Sequence, residues 1–186
     1  MNFIVWGNIW TSSRPIWGTE NPREYLENEK NSPKINVWCA MLYDKIIGPY
    51  FFQEKTVNQE SYLKLLTEFA FPKLSRVPNL IFQQDGAPPH WGLQMRRALD
   101  RHFPDRWIGR GGPIAWPARS PDITPLDFFM WGFVKDNVFK TPVKDLSELT
   151  QRISDAIKLI NKTMLKNSWR ELRGRLEFLQ ENESQH

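Results

Sequence analysis

A chain of 186 residues is long enough to bury one sizeable hydrophobic core, and a composition that is 40% hydrophobic and 13% aromatic excludes a disordered chain. With 25 basic against 21 acidic residues the net charge is +4, which permits a polyanionic partner without requiring one. A single cysteine, Cys39, excludes a disulfide framework or a multi-cysteine zinc site and makes a reducing, intracellular location the default.

No apolar run approaches the roughly 18 residues of a membrane span, so no membrane association is expected. The N-terminal MNFIVWGNIW is strand-like and lacks the basic leader and small-residue cleavage site of a signal peptide. Two further strands are expected in INVWCAML and KIIGPYFFQ, joined by a hairpin at Tyr43-Asp44-Lys45, with Asp44 as a turn residue and Cys39 buried. Thr56 and Gln59 have capping-box spacing, and Tyr62, Leu65, Leu66, Phe69 and Ala70 then recur on one face of an amphipathic helix. Pro72 and Pro78 bracket its exit.

Leu80-Ile81-Phe82 reads as a buried strand that ends on Asp85 and breaks into Gly86-Ala87-Pro88-Pro89. A carboxylate at the tip of a core strand is costly to desolvate unless cations or hydrogen-bond donors meet it, so Asp85 is the first candidate for chemistry. A helix opened by the prolines follows, with Trp91, Met95, Ala98, Leu99 and His102 at helical spacing. Its Arg96, Arg97 and Arg101 either track a phosphate backbone or form a solvated face. Arg106 to Gly109 makes a short strand, and Arg110-Gly111-Gly112-Pro113 a loop. Thr124-Pro125-Leu126-Asp127 then starts a helix, with threonine as the N-cap and proline in the first turn; it is apolar nearly all round and should be buried. After a linker near Lys140 to Lys144, Asp145 and Glu148 cap a helix lined by Leu149, Ile153, Ala156, Ile157 and Ile160. Trp169, Leu172, Leu176 and Leu179 line the last one.

This order is one of several α/β options, but the motifs narrow it. QQDGAPPH, RWIGRGGPIAWPARSPD and TPLDFFMWGFVKD closely resemble the catalytic domain of mariner-superfamily DDE/D transposases, and the similarity runs from about Trp17 to the final helices. The resemblance implies an α/β, ribonuclease-H-like core over residues 1–140, with a mixed central sheet flanked by helices, and residues 141–186 as a C-terminal helical extension. It implies a nuclear enzyme that cuts and joins DNA using two Mg²⁺ or Mn²⁺ ions held by three carboxylates. Hard cations take oxygen ligands, and a two-ion site activates the attacking oxygen and stabilises the leaving one.

On that resemblance Asp85 matches the second acid. The third is Asp127 or Asp122: Asp127 stands in the Pro-x-Asp/Glu element opening the last core helix, with 41 residues between it and Asp85, whereas Asp122, in Ser-Pro-Asp, resembles a turn-forming acid. Asp127 is favoured, and Asp122 is kept as a metal-ligand candidate. His90 follows the second acid as in the family, either contacting substrate phosphate or serving as a structural histidine. Arg96, Arg97, Arg110 and Arg119 are the candidates for lining a nucleic-acid groove.

The first acid departs from the family pattern. No aspartate occurs between Met1 and Tyr43, and Glu20, Glu24, Glu27 and Glu29 fall in or after the WGTENP turn, too late to match. Nor does a helix-turn-helix module precede the core in this sequence. The expectation is therefore an N-terminally truncated or decayed transposase core, inactive alone. The alternative is a non-catalytic remnant that binds nucleic acid, forms a homodimer or pairs with full-length transposase.

Overall fold

The structure, a computed structural model, describes residues 2–4, 33–115 and 124–183. Strands β1 (Asn2–Ile4), β4 (Leu80–Gln83), β5 (Trp107–Gly109) and β6 (Ile114–Ala115) form a parallel sheet in the order β1-β4-β5-β6. Strands β2 (Val37–Met41) and β3 (Ile46–Phe51) pair as an antiparallel hairpin. Among the described residues the central sheet is therefore parallel throughout, and the antiparallel pairing expected within a mixed sheet is found instead in the separate hairpin. Strand β6 is an element the sequence did not signal, because two residues are too few for a periodic pattern.

The continuous apolar run Val37–Met41 is what a strand buried on both faces requires. Trp38, Ala40 and Leu42 face one core, with Tyr62, Leu66, Phe71, Phe82 and Leu99. Val37, Cys39 and Met41 face a second core, built with Leu126, Val134, Leu149, Ile153 and Leu165. Residues from 141 onward therefore share a core with the hairpin. Burial pushes the Cys39 thiol far above its ordinary pKa, leaving it an inert packing group. The register shifts between Trp38 and Ala40, and Gly48 stands opposite with φ +114. A Cβ there would fall 2.8 Å from the Trp38 carbonyl, so both dihedral and space require glycine.

The first helical run comprises α1 (Gln59–Lys64), a π-helical stretch Leu65–Ala70 and α2 (Phe71–Leu74). It starts two residues later than expected from Thr56. Asn58 is the cap: its side chain accepts from the Ser61 N–H at 2.9 Å, and the Ser61 hydroxyl accepts from the Asn58 N–H at 3.0 Å. Gln59 instead lays its side chain against Gly92. Pro72 sits inside the run, not at its exit. Proline brings no N–H and its ring crowds the carbonyl four residues back, and the wide turns immediately upstream accommodate it, with the Phe71 N–H donating to Leu66. Tyr62, Leu65, Leu66 and Ala70 are buried as their spacing requires.

Pro88 and Pro89 open a 3₁₀ turn (Pro88–His90), not the helix itself; α3 (Leu93–His102) begins after Gly92. Met95 and Leu99 are its buried residues, while Trp91 and His102 lie at the surface, His102 stacked on Phe71. The next helix enters through π-helical turns (Leu126–Met130) and continues as α4 (Trp131–Val138). The Thr124 carbonyl accepts the Asp127 and Phe128 N–H groups. Leu126, Met130, Trp131 and Val134 are buried, but Phe128, Phe129 and Phe133 are only half-buried, so this helix is less enclosed than its composition suggests. In α5 (Leu146–Lys158) the Asp145 cap accepts from the Glu148 N–H, whereas Glu148 reaches the Lys144 N–H, one residue beyond a standard box. Helix α6 (Lys162–Glu183) buries Leu165 and Leu172 but leaves Leu176 exposed; the Leu179 side chain lies outside the described residues. Among the described residues no helix is long and apolar enough to cross a membrane.

Candidate active site

The site is built at the C-terminal end of β4, where ligands gather in open α/β sheets. Strand β4 lies between β1 and β5, with Ile4 opposite Phe82 and Phe82 opposite Trp107. After Gln83 the chain leaves the ladder, and the Gln84 N–H still donates to Ile108 at 3.0 Å. That bond fixes the peptide that delivers Asp85.

The Asp85 carboxylate is half exposed, with 42% of the side chain accessible, and is held from behind. Its Oδ1 accepts the Ala87 N–H at 3.0 Å, an Asx turn, and the His90 Nδ1–H at 2.5 Å. His90 is fully buried and its ring lies against Tyr62 with centroids 4.4 Å apart. Gln84, also fully buried, accepts the Tyr62 hydroxyl at 3.3 Å and donates from Nε2 to the His90 carbonyl at 2.6 Å. Burial, and then the Asp85 charge, holds the Tyr62 phenol far above its ordinary pKa, so it remains a neutral donor. The Pro88–His90 turn, α1 and β4 are thereby locked into one polar network beneath a single carboxylate.

Asp127 lies in the first turn of the last core helix, within range of the Asp85 charge. Its residue as a whole is exposed, yet enough protein surrounds the carboxyl that desolvation, followed by the negative charge of Asp85 and opposed by Lys135, raises its pKa from 3.8 to about 6. An acid with 41 residues between it and Asp127 in the sequence thus contributes to the proton affinity of Asp127.

Arg110 lies over the exposed Trp91 ring at 4.4 Å, and the side chain of Arg96 packs beside Gly111. Arg96 is half-buried and Arg97 exposed. Asp122 and Arg119, like Glu20, Glu24, Glu27 and Glu29, fall outside the described residues. Among the described residues no group of three His, Cys, Asp or Glu side chains assembles to hold a metal. By donor chemistry Asp85 and Asp127 suit a cation, since carboxylates are the hard oxygen donors that Mg²⁺ or Mn²⁺ take.

Sequence reasoning counted Tyr62 as an ordinary core position and passed over Gln84 and the Trp91–Arg110 pair. A signal existed for two of them. A tyrosine in an apolar stripe carries a polar tip that needs a partner when buried, and two consecutive amides, Gln83 and Gln84, are anomalous at the end of an apolar strand.

No protein-family model and no curated protein sequence matches the chain. Solved structures do. The catalytic domain of Mos1 mariner transposase superposes with a TM-score of 0.70 at 16% identity, covering 94% of this chain and 78% of that one. The fold is that of a mariner transposase catalytic domain. A structure of the Mos1 catalytic domain with raltegravir and Mn gives the same TM-score and identity over 79% of its chain. The Mos1 paired-end complex with left transposon end gives 0.73 at 14% identity, and there this chain spans 53% of the longer transposase chain. Identity this low speaks for a shared fold, ribonuclease-H-like in both.

Proposed function

We propose that the chain is a transposase-derived catalytic domain in which Asp85 and Asp127 bind a divalent cation beside a DNA phosphodiester, and that this pair alone does not sustain turnover. The observation that carries the reading is the half-exposed Asp85 carboxylate, held by the Ala87 N–H and His90 at the end of the central strand; the charge of Asp85 reaching the Asp127 carboxyl supports it. Mos1 structures with Mn and Mg, and Mos1 complexes with transposon ends, make the same chemistry the first expectation for this fold.

A bound cation would supply Lewis acidity to a phosphoryl oxygen. The chain's own residues do the positioning. His90 and the Ala87 N–H occupy Oδ1 of Asp85, and His90 acts through Asp85 without reaching a phosphate itself. Asp127 faces Asp85 from the helix, and Lys135 partly offsets its charge. Arg110, spread over Trp91, and Arg97 present positive charge on neighbouring surface. A third carboxylate, which the first acid of the family would provide, has no aspartate to supply it between Met1 and Tyr43. Each 1.36 kcal/mol of lost transition-state stabilisation costs about tenfold in rate, so losing a ligand worth several kcal/mol removes useful turnover.

The test is a nicking assay on supercoiled plasmid with Mg²⁺ or Mn²⁺, run with a thermal-shift titration of the same ions on wild type, Asp85→Asn and Asp127→Asn. The reading expects salt-sensitive DNA binding, no nicking, and an ion-dependent rise in Tm that both variants lose. Robust nicking abolished in both variants would overturn the inactivity, and a wild-type Tm indifferent to both ions would overturn the metal site.

A further inference from the structure

A cleft of about 490 Å³ opens between the β2–β3 hairpin turn, the segment entering β4 and the first turns of α6. Four cations line it, Lys45, Arg76, Lys162 and Lys166, against one carboxylate, Asp44. All four are exposed, and among the described residues none of them makes an ion pair within 4 Å. Farther along α6 the pattern differs: Arg173 pairs with Glu177 and Arg175 with Glu171, each at 2.9 Å. The cleft end of the helix thus carries two cations, Lys162 and Lys166, with no carboxylate partner within 4 Å.

Hydrogen bonds tie the walls together. The Trp169 indole N–H donates to the Leu42 carbonyl at 3.0 Å, tying α6 to the hairpin, and the Leu42 N–H to Lys45 at 2.8 Å closes the turn. Tyr43, 46% exposed, adds an aromatic surface with Lys166 5.8 Å above its ring. Clustered cations around an exposed aromatic ring are the elements with which proteins hold phosphates and the sugars and bases attached to them. The volume is that of a small-ligand pocket, wide enough for a phosphate and its nucleoside.

We propose that this cleft is a second phosphate-binding site, for the backbone of a polynucleotide, at the opposite end of the central strand from Asp85. Pro78 at its edge precedes β4 and Asp85 follows it, with the strand Leu80–Gln83 between them, roughly 13 Å at ~3.3 Å per residue. A nucleic acid bound here is therefore anchored by contacts separate from those at the metal-binding carboxylates. The choice of a polynucleotide over a free nucleotide rests on the function proposed above; the phosphate chemistry stands on the cleft itself.

The test compares wild type, Lys162→Ala/Lys166→Ala and the charge-matched control Arg170→Ala/Arg173→Ala. Fluorescence anisotropy on a short DNA duplex reads binding across a salt series, and thermal shift reads sodium pyrophosphate. The cleft variant should bind DNA roughly tenfold more weakly and lose about 2 from the magnitude of its log–log salt slope, about 1 per cation removed; the control should keep the wild-type slope. DNA bound by wild type with a slope unchanged in the cleft variant overturns the inference and leaves the proposed function standing. No DNA binding by wild type overturns the polynucleotide occupant and undermines the proposed function too. In that case a pyrophosphate-induced Tm rise lost only in the cleft variant reassigns the cleft to free phosphate compounds.

Discussion

Replacing Asp127 with asparagine removes a charge that the native state holds at a cost. A carboxyl whose pKa moves from 3.8 to about 6 corresponds at face value to about 3 kcal/mol, at ~1.36 kcal/mol per pH unit. Asp127 is exposed as a residue, so solvent screening reduces that figure to on the order of 1 kcal/mol. The sign follows from linkage: the folded chain binds this proton more tightly than the unfolded chain. The associated stability is complete below about pH 3.8 and is lost as pH rises through about 6. With divalent ions chelated, Asp127→Asn should therefore unfold at a Tm about 2–4 °C above wild type near pH 8, and the gap should close toward pH 4. Adding Mn²⁺ should reverse the order, because the cation stabilises the wild-type carboxylate pair and not the amide. Scanning fluorimetry over that pH range reads all three outcomes. A gap that is absent near pH 8, or that widens on acidification, would refute the raised proton affinity of Asp127.

His90→Ala should destabilise the fold by about 2–4 kcal/mol, since it empties a fully buried site against Tyr62 and takes a donor from Asp85. In the fraction that folds it should weaken Mn²⁺ binding by about 10- to 100-fold. His90→Asn, which keeps a donor near the Nδ1 position, should recover part of the affinity in the same titration. Gly112→Ala sets a Cβ 2.7 Å from a ring carbon of the fully buried Trp107, whose indole N–H is held by Asp100 at 2.8 Å. Chemical denaturation should show a loss of about 1–3 kcal/mol. Gly132→Ala, with nothing within 4 Å of the new methyl in α4, should instead gain about 0.5–1 kcal/mol.

The elements that the sequence located well are those whose signal is local and repeated. The stripe Tyr62, Leu65, Leu66 and Ala70 was legible because burial of one helical face imposes its period on the residues themselves. The hairpin at Tyr43-Asp44-Lys45 and the cap at Asp145 were legible for the same reason: the residue that forms the turn or the cap is the residue that signals it. Boundaries slipped where two signals competed. Thr56 and Asn58 are both competent caps, and Asn58 prevails because Ser61 reciprocates its bond. The prolines after Asp85 advertised a helix start but set a 3₁₀ turn, since Gly92 and the placement of His90 under Asp85 decide where α3 begins.

By itself the sequence determined that Asp85 follows a core strand, that Asp127 stands at the opening of a helix, and that both stand in motifs like those of the transposase superfamily. It also determined that no aspartate lies between Met1 and Tyr43. Only the tertiary structure decided that His90 turns inward to hold Asp85, that Tyr62 and Gln84 brace it, and that Lys45, Arg76, Lys162 and Lys166 meet in one cleft. The reason is physical. Propensity and periodicity act over one or two turns of chain, whereas the proton affinity of Asp127, set first by burial and then by neighbouring charge, and the field in that cleft depend on groups that the sequence keeps tens of residues apart and only packing brings together.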